Sequence, residues 1–283
     1  MLARILLPLD GSEVAETIMG QLGRLLRIKD AEVILVQAVP VPLHVGLEYA
    51  PITADLQAES EAYMAALVKN LCAEGVKARS IVRVGGEAHT ILEVARETGA
   101  TLIAMATHGR TGLSRFVFGS VAEKVIRASE VPVLIMRSFD AAVPGAARTR
   151  ASEVPFRRIL LPVDGSEAAL GAVPQLAAFA KACGAEVRVL GVVPAVGSKP
   201  GDGEPLVHKA TQILATAGVP VDPVVRLGDP ASEILDASGR HEVDLIAMST
   251  HGRSGVSRWV LGSVTEKVLR GSTVPMLLFR TKT

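Results

Sequence analysis

Met105-Ala-Thr-His-Gly109-Arg110-Thr-Gly112-Leu-Ser-Arg-Phe-Val-Phe-Gly119-Ser120 is the stretch whose reading decides the fold, because the chain writes it twice. The second copy is Met248-Ser-Thr-His-Gly252-Arg253-Ser-Gly255-Val-Ser-Arg-Trp-Val-Leu-Gly262-Ser263. In each, a short apolar strand runs into Thr-His-Gly-Arg, and nine residues separate that first glycine from a Gly-Ser opening an amphipathic helix. Glycine lets backbone approach a ligand closely, and the free amides and dipole at a helix start favour negative charge. Strand, glycine turn and helix start together read as an anion cradle.

Working outward, the first half alternates strands and helices. Strands are expected at 4–9, 31–39, 77–84, 101–106 and 131–136. The helices between them are one capped by Ser12, with Val14, Ile18, Leu22 and Leu25 at helical spacing, then 55–73, 87–97 and 120–128. A Pro-rich loop is expected from Pro40 to Pro51. Strands joined by crossover helices imply a parallel sheet with right-handed connections and helices on both faces.

The pattern then restarts. Arg158-Ile-Leu-Leu-Pro-Val-Asp164-Gly-Ser-Glu167 matches Arg4-Ile-Leu-Leu-Pro-Leu-Asp10-Gly-Ser-Glu13 with one change in ten positions. Further strands follow at 186–193, 221–227 and 244–248. The offset between copies is 154 at the first strand and 143 at the glycine stretch, so the second copy lacks eleven residues between its second and third strands. Pro174 falls inside its first helix, where a kink or early break is expected. Residues 139–156 lose periodicity and gather Ala, Pro, Gly and Arg, which reads as a linker between domains at 1–138 and 157–283.

Composition narrows the function. Of 283 residues 49% are hydrophobic but only 3% aromatic, so aliphatic side chains must fill the cores, as suits buried parallel strands. Lys and Arg number 30 against 29 Asp and Glu, which leaves no overall basic field for nucleic acid or an anionic membrane. No run reaches the ~18 apolar residues of a membrane span. The apolar N-terminus is too short for a signal peptide and recurs as a strand, so a cytoplasmic protein is expected. Cys72 and Cys183 lie in apolar helical stretches without metal-ligand spacing and read as buried, unpaired thiols. A P-loop and a Gly-x-Gly-x-x-Gly after a strand are both absent, which excludes P-loop NTPases and dinucleotide dehydrogenases.

The strand-one Pro-x-Asp-Gly-Ser ending and the paired Gly-nine-residues-Gly-Ser stretches, each followed by Val-x-Glu-Lys-Val, resemble the universal stress protein family in its tandem form. The resemblance implies two doubly wound five-stranded α/β sheets of strand order 3-2-1-4-5, and an ATP site, with or without Mg, in some members. It implies that Asp10 and Asp164 lie against adenine and ribose, with Ala38 and Val192 offering backbone to the base. Phosphate would be held by Gly109, Gly112, Gly119 and Ser120, and by Gly252, Gly255, Gly262 and Ser263. Arg110 and Arg253 either add charge to a phosphate or cover the surface. The family also pairs its fifth strands between domains, which implies an internal pseudo-dimer here and a further homodimer.

Each assignment has a rival. Asp-Gly-Ser after a strand is also turn and helix-cap chemistry. Ser120-Val-Ala-Glu123 and Ser263-Val-Thr-Glu266 fit a capping box that needs no ligand. Nucleotide-binding members carry a glycine where this chain has Ala106 and Ser249; a Cβ there is harmless in extended backbone and costs about 1–2 kcal/mol in a left-handed one. His108 and His251 read as turn stabilisers, Phe116 and Trp259 as packing, and the other four histidines as surface or loop positions. Three classes stay open: a nucleotide-dependent stress regulator, a slow ATPase or self-phosphorylating enzyme without a dedicated catalytic constellation, and a nucleotide-free interaction module.

Overall fold

A computed structural model describes residues 2–12, 25, 31–40, 50–106, 119–136, 156–239, 243–250 and 261–280. The first half contains β1 (Arg4–Pro8), β2 (Glu32–Val39), α1 (Ala50–Ala73), β3 (Lys77–Val84), α2 (Glu87–Thr98), β4 (Leu102–Ala106), α3 (Ser120–Ala128) and β5 (Val133–Met136). The second contains β6 (Arg158–Val163), α4 (Glu167–Cys183), β7 (Glu186–Val193), a 3-10 turn (Pro200–Gly203), α5 (Glu204–Thr216), β8 (Val221–Leu227), α6 (Pro230–Gly239), β9 (Leu245–Ser249), α7 (Ser263–Gly271) and β10 (Met276–Phe279). The helix expected after Ser12 lies outside the described residues except for Leu25, which is buried. Most of the loop after Pro40, at 41–49, and the linker up to residue 155 also lie outside them.

The described strands run in the order β3-β2-β1-β4-β5-β10-β9-β6-β7-β8. Neighbours are parallel except β5 and β10, which run antiparallel with Met276 opposite Ile135 and Leu278 opposite Val133. Each half therefore reverses its winding at its first strand: β1 lies between β2 and β4, and β6 between β7 and β9. Successive residues of these strands are buried on opposite faces, which is why they read as unbroken apolar runs. Ile5 and Leu7 pack with Val33, Leu35 and the α1 residues Met64, Leu67 and Leu71. Leu6 packs with Ile34, Val36, Val94 and Val125 on the other side. Burying one such side chain contributes about 1.5–3 kcal/mol.

Four local expectations are corrected. Helix α1 starts at Ala50, not near Asp55, and takes Pro51 into its first turn, where a missing N–H is no loss. Helix α4 does not break at Pro174. The proline lies on the exposed side, eight buried residues anchor the helix, Ser166 caps its start, and Gly184 at φ 65° ends it. Cys183 is buried as expected but Cys72 is exposed, one residue past the buried stripe that ends at Leu71. The capping boxes also fail, as described below.

The outer strand β8 contains Pro223. Val187 N–H donates to the Pro220 carbonyl and Gly228 N–H to the Val193 carbonyl, so the even-numbered residues of β8 face β7. The ring nitrogen of Pro223 therefore lies on the side away from β7. Among the described residues no helix is long and apolar enough to cross a membrane.

Candidate functional site

Each half's candidate site begins at the end of its central strand. Asp10 Oδ1 accepts from the Ser12 amide at 3.0 Å and the Ser12 hydroxyl at 2.5 Å. Asp164 Oδ1 repeats this with Ser166 at 3.0 and 2.6 Å. The intervening Gly11 and Gly165 have φ of 76° and 77°, where a Cβ is disfavoured. Both aspartates are half-buried. Extending the register from Pro8 opposite Val36 brings Asp10 level with Ala38, and from Val163 opposite Gly191 brings Asp164 level with Val192. The turn chemistry thus fixes a carboxylate at each point where the winding reverses, where open α/β sheets form their ligand crevices.

On the strands beside β1 and β6, β4 ends at Ala106 opposite Met136 and β9 at Ser249 opposite Phe279. Both are extended strand residues, so a Cβ in place of glycine carries no torsional cost. Residues 107–118 and 251–260 lie outside the described residues; they include Gly109, Arg110, Gly112, Gly252, Arg253 and Gly255, and also His108, His251, Phe116 and Trp259. Of the other histidines, His44 and His241 lie outside as well, while His89 and His208 are exposed.

Gly119 (φ −61°, ψ 138°) and Gly262 (φ −58°, ψ 139°) precede α3 and α7 as N-caps, with no side-chain cap bond. Ser120 and Ser263 are therefore the first helical residues, one place too late to cap. The glutamates of the expected boxes turn along the helix instead: Glu123 Oε1 accepts from Arg127 at 2.6 Å and Glu266 Oε1 from Arg270 at 2.9 Å. Their backbone amides donate to the Gly119 and Gly262 carbonyls at 3.0 and 2.8 Å, closing the first turn. The earlier amides of that turn have no intrahelical acceptor and carry the positive end of the helix dipole.

One predicted donor is already engaged. The Gly262 N–H donates to the Thr250 carbonyl at 2.9 Å, leaving the amides of Ser263 and Val264 as the next donors in line. Sequence reading overlooked Thr265, whose buried hydroxyl donates to the Ser249 carbonyl at 3.1 Å. The available signal was the joint change from Ala106 and Ala122 in the first copy to Ser249 and Thr265 in the second. Charge near the sheet's outer edges is paired off: Arg83 binds Glu97, with one contact at 2.9 Å, and Arg226 meets Glu233 at 3.5 Å. The Arg83 hydrogen bond holds the Glu97 carboxyl below its usual range. Among the described residues no three His, Cys, Asp or Glu side chains converge to hold a metal.

Fold and site define a class: a doubly wound α/β protein, duplicated within one chain, with an Asp-Gly-Ser turn after the first strand and a helix N-capped by glycine after the fourth in each half. The chain belongs to the universal stress protein family, whose model matches residues 1–137 and 155–280. A universal stress protein of Methanocaldococcus jannaschii is 35% identical over 146 residues, 46% of this chain and 86% of the relative. One from Mycobacterium tuberculosis is 28% identical over 205 residues, 68% of this chain and 65% of the relative's length. The crystal structure of a universal stress protein from Archaeoglobus fulgidus shares the fold, with a TM-score of 0.77 at 24% identity over 99% of both chains.

Proposed function

We propose that this protein is a cytoplasmic stress regulator that binds an adenine nucleotide, ATP foremost, in the crevice of one or both halves. The observation that carries the reading is the pairing, in both halves, of the Asp-Gly-Ser turn with a helix whose N-cap is a glycine lacking any side-chain acceptor. Asp10 with Ala38, and Asp164 with Val192, would hold the adenosine end. Ser120, Ser263 and the neighbouring first-turn amides would hold phosphate, with Gly109, Gly112, Gly119, Gly252, Gly255 and Gly262 giving the phosphate chain room and Arg110 and Arg253 adding charge. Any Mg would arrive with the triphosphate. The halves act as domains 1–138 and 157–283 joined by the linker 139–156, and work as a pseudo-dimer through β5 and β10. Two chains associate further.

The test is mass spectrometry of nucleotide released from freshly purified protein, followed by calorimetric titration with ATP, ADP and AMP. Expected is binding that weakens in Asp10→Ala, Asp164→Ala or the double variant. No bound nucleotide and no heat at millimolar concentration would leave a nucleotide-free interaction module as the function. Timed ADP release in the same samples separates a binder from a slow ATPase.

A further inference from the structure

The halves share one motif but differ at the neck of the glycine stretch. Thr265, 4% exposed in the first turn of α7, donates its hydroxyl to the carbonyl of Ser249, the last residue of β9. Two backbone bonds lie beside it: Thr250 N–H donates to the Phe279 carbonyl and Gly262 N–H to the Thr250 carbonyl, both at 2.9 Å. Together they tie the start of α7 to the ends of β9 and β10. In the first half Ala106 and Ala122 stand where Ser249 and Thr265 stand in the second. Ala122 is equally buried, at 2% exposed, and its methyl group donates nothing. The hydroxyl tie is a property of the second half alone.

We propose that Thr265 is a positioning residue that makes the second crevice the tighter of two unequal phosphate sites. By holding the first turn of α7 against the end of β9, it fixes the amides of Ser263 and Val264 relative to the sheet before a ligand arrives. Donors fixed in advance lose less freedom on binding than donors that must first be ordered. The hydroxyl itself touches no ligand; it acts through the backbone it holds. The inference rests on the nucleotide reading above and ranks its two sites. Losing one neutral hydrogen bond of this kind corresponds to about a three- to tenfold loss of affinity.

The chain supplies its own reporter, because its single tryptophan, Trp259, belongs to the second stretch, where the first has Phe116. The full-length protein is titrated with ATP and, separately, with inorganic tripolyphosphate, by calorimetry for all sites and by tryptophan emission for the second. Two calorimetric phases are expected, with emission changing in the tighter one. Thr265→Val, which keeps the shape and removes the hydroxyl, should weaken that phase about three- to tenfold and leave the other alone, and Thr265→Ser should restore it. An unchanged tight phase in Thr265→Val, equal phases in the wild type, or no rescue by serine overturns the ranking while nucleotide binding stands. No heat with either ligand in the wild type defeats the nucleotide reading itself, and the ranking with it. If emission is silent, the response of the calorimetric phases to Thr265→Val and Thr265→Ser decides.

Discussion

Over β2 the first half carries a helix of 24 residues, α1, while over β7 the second half carries one of 13, α5, preceded by a 3-10 turn. The shorter helix and its 3-10 turn lie close on the sheet. A Cβ on Gly191 would meet Val207 Cγ1 at 2.9 Å, and one on Gly203 would meet Val225 Cγ1 at 2.4 Å, so both glycines are required by proximity, not by torsion. The first half has Gln37 in the place of Gly191. Its side chain is 7% exposed, and Oε1 has no hydrogen-bond partner among the described residues. One ancestral pattern has thus produced a closely packed floor beside one crevice and a polar one beside the other.

The largest expected contrast is chemical. Cys183 is buried, and burial, reinforced by Asp244, pushes its thiol up to about 12, whereas Cys72 is exposed. Iodoacetamide at pH 8 should label Cys72 on the order of a thousandfold faster, with Cys183 reacting only on unfolding. Two fast thiols per chain would show that α4 opens locally. Next, Gly191→Leu should lower stability by about 1–3 kcal/mol through overpacking, seen as a lower urea midpoint. The matching Gln37→Leu should leave stability unchanged or raise it by about 1 kcal/mol, since it removes a buried unpaired polar group. Similar losses for both substitutions would end the claim that the two floors differ.

The halves should agree at the carboxylate turn. Gly11→Ala and Gly165→Ala each impose a Cβ on a left-handed residue and should each cost about 1–2 kcal/mol by the same measurement. A two-fold disparity would mean the turns are not equivalent.

The smallest contrast is in acid. Asp229 precedes α6 and accepts from the Ser232 amide and hydroxyl at 3.0 Å, which holds its carboxyl below the usual range, the backbone bond being the larger cause. Gly86 precedes α2 in the first half and makes no side-chain cap bond. A depressed carboxyl stabilises fully above its unfolded value, roughly pH 4, and the contribution is lost as pH falls through the folded value. Hydrogen exchange below pH 4 should therefore show α6 fraying with a pH dependence that Asp229→Asn abolishes, and α2 should not share it.

Much of the fold was legible because buried parallel strands demand unbroken aliphatic runs, and the repeat exposed each of them twice. The errors came where one residue type serves two geometries. Pro51 reads as loop but fits a helix's first turn, and Pro174 reads as a breaker but is tolerated on an exposed side anchored by its neighbours. The Ser-x-x-Glu pattern of the expected capping boxes sits one residue too far along, and Arg127 and Arg270, four places on, claim the glutamates. In the site, Asp10 and Asp164 were legible as crevice residues and equally as turn formers, and their bonds to Ser12 and Ser166 show the turn role directly. Thr265 was harder to read: a threonine inside a helix gives no hint of a carbonyl one strand away, and only its joint change with Ser249 between the copies marked it.

The proline at the rim of the sheet bears on how large an assembly can become. The ten described strands, joined edge to edge, end in two rows of backbone groups, and an uncapped row invites another chain to add itself without limit. At Pro223 the outward N–H is missing, so a newcomer aligning there finds a gap in its ladder. Filament growth is thus discouraged at the β8 end by a lost donor.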